Sequence, residues 1–352
     1  MLRRLAGTVL LVCLCVSASQ AARELTIYFI DVEGGQSTLL ITPAGESILI
    51  DTGYAIRGQR GAPPPPADAT IGRDAERILN TLTAAGLTRL DYLLITHFHS
   101  DHAGGVPELA ARIPIGTFID YGEPLGTDRL TAASFRAYAP VRAGAANHLV
   151  PTPGQRLPFK GIDADVISAG GNLIEKAVGD GGTNAACVDV EDHVEDGTEN
   201  YRSIGVLFRY GAFRFLDLGD LSGNTLTRLV CPKNLIGRVS AYLIAHHGDY
   251  DTSIPALYAA LRPQVAIMNN GANRGGAPAA FLALRTTSAI DLWQLHRSAA
   301  AGDANASDEF IANVDDGTQT AYSLKLTATD DGRFQLSNPR TGVTRSYSKQ
   351  RN

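Results

Sequence analysis

Five short apolar runs in this chain each stop at a residue able to hold a cation or an anion. Asp51 follows "SILI", His97 follows "LLIT" and Asp220 follows "FLDLG". His246 and His247 follow "YLIA", and Asn269 and Asn270 follow "VAIM". Brief runs of Ile, Leu and Val bounded by polar residues read as buried strands. Strand ends are rigid, so a fold that gathers them brings side chains from distant parts of the chain to one place.

The order of elements narrows that fold. "ELTIYFIDV" (24–32), "STLLITP" (37–43) and "SILIDTG" (47–53) read as consecutive antiparallel strands, the last two separated by the turn-forming "PAGE". The proline run in 57–70 allows neither helix nor central strand and predicts a long loop that overhangs a site as a lid or specificity loop. A helix is expected over 72–86, with Ala75, Ile78, Leu79 and Leu82 on one face, then a strand at "LDYLLITH", a short helix at "GGVPELAARI" and a strand at "IGTFIDYG". Residues 122–200 are less regular, with a hairpin expected at "FKGIDADVISAG". Two strands around Tyr210-Gly211 follow, then alternating helices and strands to "DLWQLHRS", and three short strands in the tail. Strands mixed with helices, roughly repeated in the second half, predict an α+β fold: two packed sheets with helices outside, an αββα four-layer sandwich. The main domain is expected over 22–300, with 301–352 a C-terminal β-strand extension packed on it.

The start of the chain has a basic pair, Arg3 and Arg4, an apolar stretch from Leu5 to Val16, and small residues at Ser19 and Ala21. This predicts a signal peptide over 1–21, cleaved after Ala21, and a periplasmic or secreted protein. The mature chain then has 331 residues (352 − 21), and loss of the two arginines takes the formal charge from −5 to −7. No lysine- or arginine-rich run follows, which argues against a long nucleic-acid surface and leaves a small-molecule substrate as the expected partner. No other segment is long and apolar enough to span a membrane. Cys187 and Cys231 remain after cleavage, either as a disulfide or as two buried thiols.

The densest chemistry lies in "THFHSDHAGG" (96–105). Residues two apart on an extended segment point the same way, so His97 and His99 can reach one ion. Asp101 and His102 follow as the chain turns into a helix and can reach a second. Imidazole and carboxylate suit Zn2+, and also Mn2+ or Fe. This segment resembles the His-x-His-x-Asp-His motif of the metallo-β-lactamase superfamily. Asp51 in "LIDTG" looks like that family's first motif, Asp220 in "LDLGD" like its metal-bridging aspartate, and "AHHG" like its last histidine motif. Within the superfamily, "YFIDVEGGQSTLLITPAGESILIDTG" most resembles the metallo-hydrolase domain of the DNA-uptake channel proteins of competent bacteria. The resemblance covers roughly residues 25–300 and implies the same αββα sandwich with one or two metals at one edge.

Carried across, the resemblance implies His97 and His99 on metal 1, Asp101 and His102 on metal 2, and Asp220 bridging. His247, beside Gly248, is preferred as the last ligand, with His246 supporting it or pointing into the core. The family's usual Gly-His-Thr histidine is missing: "GTENYRSIG" stands there and offers Glu199 or Asn200, with His193 nearby in the same loop and His148 farther off. Metal 1 is then short of a ligand, uses one of these, or is weakly occupied. A divalent ion brings the pKa of its water to roughly 7, so hydroxide becomes available at neutral pH. Asp101 is expected to hold that hydroxide as well as a metal. Asp51 is expected to act in catalysis by orienting a histidine, or else to be a turn residue. Tyr121, Asn270, Arg274 and His296 are candidates to contact substrate. The resulting expectation is a secreted metal-dependent hydrolase of a phosphoester or similar small ester. A lactamase or lactonase, or a non-catalytic metal-binding protein with a degraded site, are the rival readings.

Overall fold

The computed structural model describes residues 24–56, 71–124, 128–188, 190, 197–287, 289–315 and 321–350. The expected signal peptide, the proline-rich loop 57–70 and His193 lie outside these residues. Alternation starts the first sheet: in β1 (Leu25–Phe29), Leu25, Ile27 and Phe29 are buried while Thr26 and Tyr28 are half-exposed. β1 pairs antiparallel with β2 (Thr38–Ile41), and β2 with β3 (Ser47–Ile50), as the sequence predicts. After α1 (Arg73–Ala84) the chain adds β4 (Leu90–Leu94), α2 (Ser100–Ala103), α3 (Val106–Ala110), β5 (Ile115–Ile119), α4 (Arg129–Ala143) and β6 (Asn147–Leu149). β3, β4, β5 and β6 are mutually parallel.

The second sheet holds β7 (Asp163–Ala169), β8 (Asn172–Leu173), β9 (Gly205–Tyr210) and β10 (Phe213–Asp217). It continues through α5 (Gly223–Val230), β11 (Ala241–Leu243), α6 (Pro255–Leu261), β12 (Val265–Met268), α7 (Pro278–Arg285), β13 (Asp291–His296) and β14 (Ile311–Asn313). β10 to β14 run parallel. The tail, β15 (Leu324–Ala328), β16 (Phe334–Asn338) and β17 (Val343–Tyr347), returns to the first sheet, where β15 pairs with β1. The orders are β17-β16-β15-β1-β2-β3-β4-β5-β6 and β14-β13-β12-β11-β10-β9-β7-β8.

The sheets pack face to face. Phe29 of β1 meets Phe215 of β10 edge-on, with ring centroids 5.7 Å apart. Alternate residues of β10 and β9 divide between layers. Phe215 and Phe208 join the core between the sheets, while Leu216 and Leu207 pack with Leu226, Leu257 and Phe281 of the outer helices. Each such buried side chain stabilises the fold by roughly 1.5–3 kcal/mol. The result is the α+β αββα sandwich.

Two expectations needed revision. Residues 129–143 form a helix inside the stretch expected to be irregular. Its alanine-rich sequence and internal Pro140 hide any single apolar stripe. The hairpin expected over 159–170 is one strand, β7. It pairs antiparallel with the later β8 and β9, and the residues before it add only the isolated Arg156–Asp165 bridge across a turn at Gly161 (φ +84°). Among the described residues no helix is long and apolar enough to cross a membrane.

Candidate metal centre

Parallel strands put their carboxyl ends on one edge, and that edge collects the polar residues. Asp51 leaves β3 with φ +60°, a left-handed conformation that Asp tolerates better than most residues. Its Oδ1 accepts the Thr96 N–H at 2.8 Å, and its Oδ2 accepts the Thr96 hydroxyl at 2.7 Å. The same Oδ2 lies 2.7 Å from His102 Nδ1. Asp51 therefore fixes the ring of His102 and leaves Nε2 aimed onward.

After β4 the chain bends at Thr96 and passes through His97 and Phe98 to His99, whose backbone is extended (φ −64°, ψ 153°). Phe98 turns into the aromatic cluster of Tyr121, Phe135 and Tyr138. The two imidazoles share the other side, with His97 Nε2 3.1 Å from His99 Nδ1. His99 caps α2, and α2 carries Asp101 and His102. From the second sheet, Asp220 Oδ2 lies 3.1 Å from His102 Nε2, 3.3 Å from His247 Nε2 and 3.8 Å from His97 Nε2. Gly219, just before it, has φ +54°, and a Cβ there would sit 2.9 Å from Ser203 and 3.0 Å from Thr96. The close approach of the two sheets at Asp220 thus requires glycine.

Asp101, His102, Asp220 and His247 are all buried and offer ligand atoms within 4.8 Å of one another. Asp220 Oδ1 and both nitrogens of His247 have no hydrogen-bond partner. Unsatisfied buried polar atoms cost about 1–3 kcal/mol each, and a bound cation removes that cost. The charges agree. Burial opposes ionisation of Asp220, but His102, His247 and His246 hold its carboxyl well below the usual range. Burial likewise opposes ionisation of Asp101, yet His102, His247 and Arg274 keep it low. Burial, with His102 and His99 nearby, pushes His97 well down, which favours the neutral ring with one basic nitrogen. His102 is pulled the other way: burial lowers it, but Asp220, Asp51 and Asp101 raise it well up. A proton on His102 balances the carboxylates where a metal would otherwise do so. The donor set fits one or two divalent ions of the zinc, manganese or iron kind.

His246 and His247 both adopt left-handed backbone, φ +46° and +54°. Two bulky residues in that region are strained, typically by about 1–3 kcal/mol each, and such strain gathers at functional sites. The kink sends the rings apart. His247 joins the cluster. His246 places Nδ1 2.9 Å from Asp251 and Nε2 3.2 Å from Asn200 Nδ2. Asp251 was missed in the sequence; its signal is a carboxylate five residues after a ligand-type histidine.

Other expected residues have different occupations. Glu199 is buried, accepting the Phe98 N–H at 3.3 Å and the Tyr121 hydroxyl, and burial pushes its carboxyl up to about 7. Tyr121 is thereby engaged by Glu199, away from any substrate. Asn270 Nδ2 donates to the carbonyls of His296 and Gly271, so its amide braces a turn rather than receiving an anion. His296 is tied to Asp31 at 2.7 Å in a separate cluster with Glu33. His148 lies on Asp120 at 2.9 Å. Arg274 remains at the centre, touching Asp101, with its Nε on the Gly34 carbonyl at 2.9 Å. Its side chain is 38% exposed. Cys187 and Cys231 form a disulfide.

Residues 31–189 match the family described as the metallo-beta-lactamase superfamily. The lactamase-like protein notP of Aspergillus sp. (strain MF297-2) is 32% identical over 123 residues, 34% of this chain and 32% of that protein. The match thus spans about a third of that relative's length. Similar solved structures include a metallo-beta-lactamase from Cronobacter sakazakii, with TM-score 0.37 and 15% identity over 62% of this chain and 75% of that one. CmlA, a diiron beta-hydroxylase from Streptomyces venezuelae, gives 0.38 and 15% over 77% and 48%. A diphosphatase from the PhnP family gives 0.39 and 11% over 76% and 94%. The family match covers the segment that carries Asp51 and the His97–His102 motif.

Proposed function

We propose that this protein is an exported metal-dependent hydrolase of small phosphoesters. The observation that carries the hydrolase reading is the buried group Asp101, His102, Asp220 and His247, whose donor atoms converge while Asp220 Oδ1 and the His247 nitrogens make no hydrogen bond. These residues, with His97 and His99, would hold one or two divalent ions, zinc first. When bound, such ions supply Lewis acidity and a water acidic enough to ionise near neutral pH. The chain's own contribution is positional. Asp51 and Thr96 fix His102, and the left-handed turn at 246–247 aims His247. Asp101 would turn from Arg274 to a cation, which frees the guanidinium for an anionic substrate group.

Arg274 supports a phosphoester over a neutral ester, as does the likeness of the first strands to the DNA-uptake hydrolases. The net charge of −5 argues for a small substrate rather than long DNA. The disulfide supports export to the periplasm or beyond, since such bonds persist in oxidising compartments. The test is turnover of bis-p-nitrophenyl phosphate, p-nitrophenyl phosphate and nitrocefin by protein loaded with Zn2+ or Mn2+. Phosphoester turnover that disappears in Asp220→Ala is expected. Turnover of nitrocefin alone would reassign the substrate to a lactam, and no turnover with full ion content would favour a binding protein. Mass analysis of exported protein should show cleavage after Ala21.

A further inference from the structure

We infer that Asn200 supplies the protein ligand that the first cation site lacks, with Asp251 and His246 holding its amide in place. The inference rests on reading the cluster as a metal centre. Two half-sites share Asp220. One has four converging donors, from Asp101, His102, Asp220 and His247. The other has three: His97 and His99, 3.1 Å apart, and Asp220, 3.8 Å from His97.

Two neighbouring side chains compete for the fourth place. Glu199 commits one oxygen elsewhere, and its other, Oε2, makes no hydrogen bond but lies 3.7 Å from the Arg202 guanidinium. Its Oε1 holds the Phe98 N–H and the Tyr121 hydroxyl, on the Phe98 side of the His97–His99 segment rather than the imidazole side. Asn200 instead faces His246. It is 6% exposed. One end of its carboxamide, Nδ2, lies 3.2 Å from His246 Nε2, and the other, Oδ1, is buried without a partner. His246 is itself gripped through Nδ1 by both oxygens of Asp251, at 2.9 and 3.0 Å, and its Nε2 is 4.0 Å from Asp220. The amide therefore connects to the shared carboxylate through one imidazole. Its backbone carbonyl accepts the N–H of Ser203, whose hydroxyl lies 3.4 Å from His97 Nδ1. An oxygen donor in the place of an imidazole also suits Mn2+ better relative to Zn2+.

The test counts ions in the full chain, stripped with chelator, reloaded with Zn2+ or Mn2+, and freed of excess metal before elemental analysis. Wild type is expected to hold two ions and Asn200→Leu one, with the stripped proteins alike in circular dichroism and melting temperature. Asn200→Asp should keep two, and Asn200→His should keep two and shift retention from Mn2+ toward Zn2+. Asn200→Ser provides the same count if the leucine variant does not fold. Two ions retained in Asn200→Leu would overturn the assignment, and with one ion lost in His246→Ala would give the position to His246. A wild-type count of one also overturns it. Because the readout is ion content, a protein without phosphoesterase activity that still loses one ion in Asn200→Leu refutes the proposed reaction and leaves this ligand assignment standing.

Discussion

Two buried clusters of acids and histidines lie at the carboxyl ends of these strands, and they solve the same electrostatic problem differently. In the cluster of Asp31, Glu33 and His296 the protein brings its own cation. Arg77 donates to Asp31 at 2.8 Å and to Glu33 at 3.1 Å, while His296 takes the other Asp31 oxygen at 2.7 Å. In the cluster of Asp101, His102, Asp220 and His247, Arg274 reaches only Asp101 among these four, and Asp220 Oδ1 and the His247 nitrogens make no hydrogen bond, although His247 Nε2 lies 3.3 Å from Asp220 Oδ2. The residue types are nearly the same. What separates an ion-pair knot from a candidate metal centre is that one guanidinium, Arg77, pairs both acids of the knot, whereas Asp220 meets only imidazoles and keeps Oδ1 free of hydrogen bonds.

The largest expected effect tests that distinction directly. Asp220→Ala should remove at least one bound ion and reduce hydrolysis by more than about 100-fold, beyond the roughly 10–100-fold typical of a supporting residue. Asp31→Ala should leave the ion content unchanged. Equal ion loss in both, read by elemental analysis, breaks the comparison. Arg77→Met should cost about 3 kcal/mol in urea unfolding, because it leaves buried carboxylates short of a partner. It should not alter the ion count. Asp51→Asn is next: His102 loses its carboxylate, and zinc affinity measured by competition with a chelating dye should fall about 10–100-fold. An unchanged affinity would return Asp51 to a simple turn residue.

The candidate cluster was legible where chemistry coincides with local pattern. His97 and His99 carry the two-residue period of a strand, Asp101 and His102 begin a helix, and Asp51, Asp220 and His247 each follow an apolar run. The choice of His247 over His246 depends on two left-handed residues in succession, a backbone state that side-chain identity does not encode. The ion-pair knot was illegible because Asp31 and His296 are 265 positions apart, so His296 looked like a residue free to meet substrate. Tyr121 misled for a similar reason: its partner, Glu199, is 78 positions away. In the fold, the alternating strands and the helices with a clear apolar stripe were visible, whereas α4 was not, since alanine contributes little to an apolar stripe and Pro140 signals a break.

The smallest expected effect concerns pH and again sets the knot apart. Burial disfavours the charged form of His296, but Asp31 and Glu33 outweigh it and raise its pKa. A raised native value means that stability from this pair is fully present below the unfolded value of about 6.5 and is lost as pH rises through the native value. For Asp31, burial is outweighed by His296 and Arg77, and its pKa is lowered. Its contribution is present above about pH 3.9 and lost as acid carries the pH below the native value. The pair therefore stabilises most between about pH 4 and 6.5. His102 slopes the same way on the alkaline side in ion-free protein, so the knot's share appears only as a difference. Urea midpoints of stripped wild type and His296→Gln should converge as pH rises from about 5.5 to about 8.5. A gap that stays constant across that range would show that His296 acts through packing alone, and the contrast between a charged knot and a cation-seeking centre would then rest on Arg77.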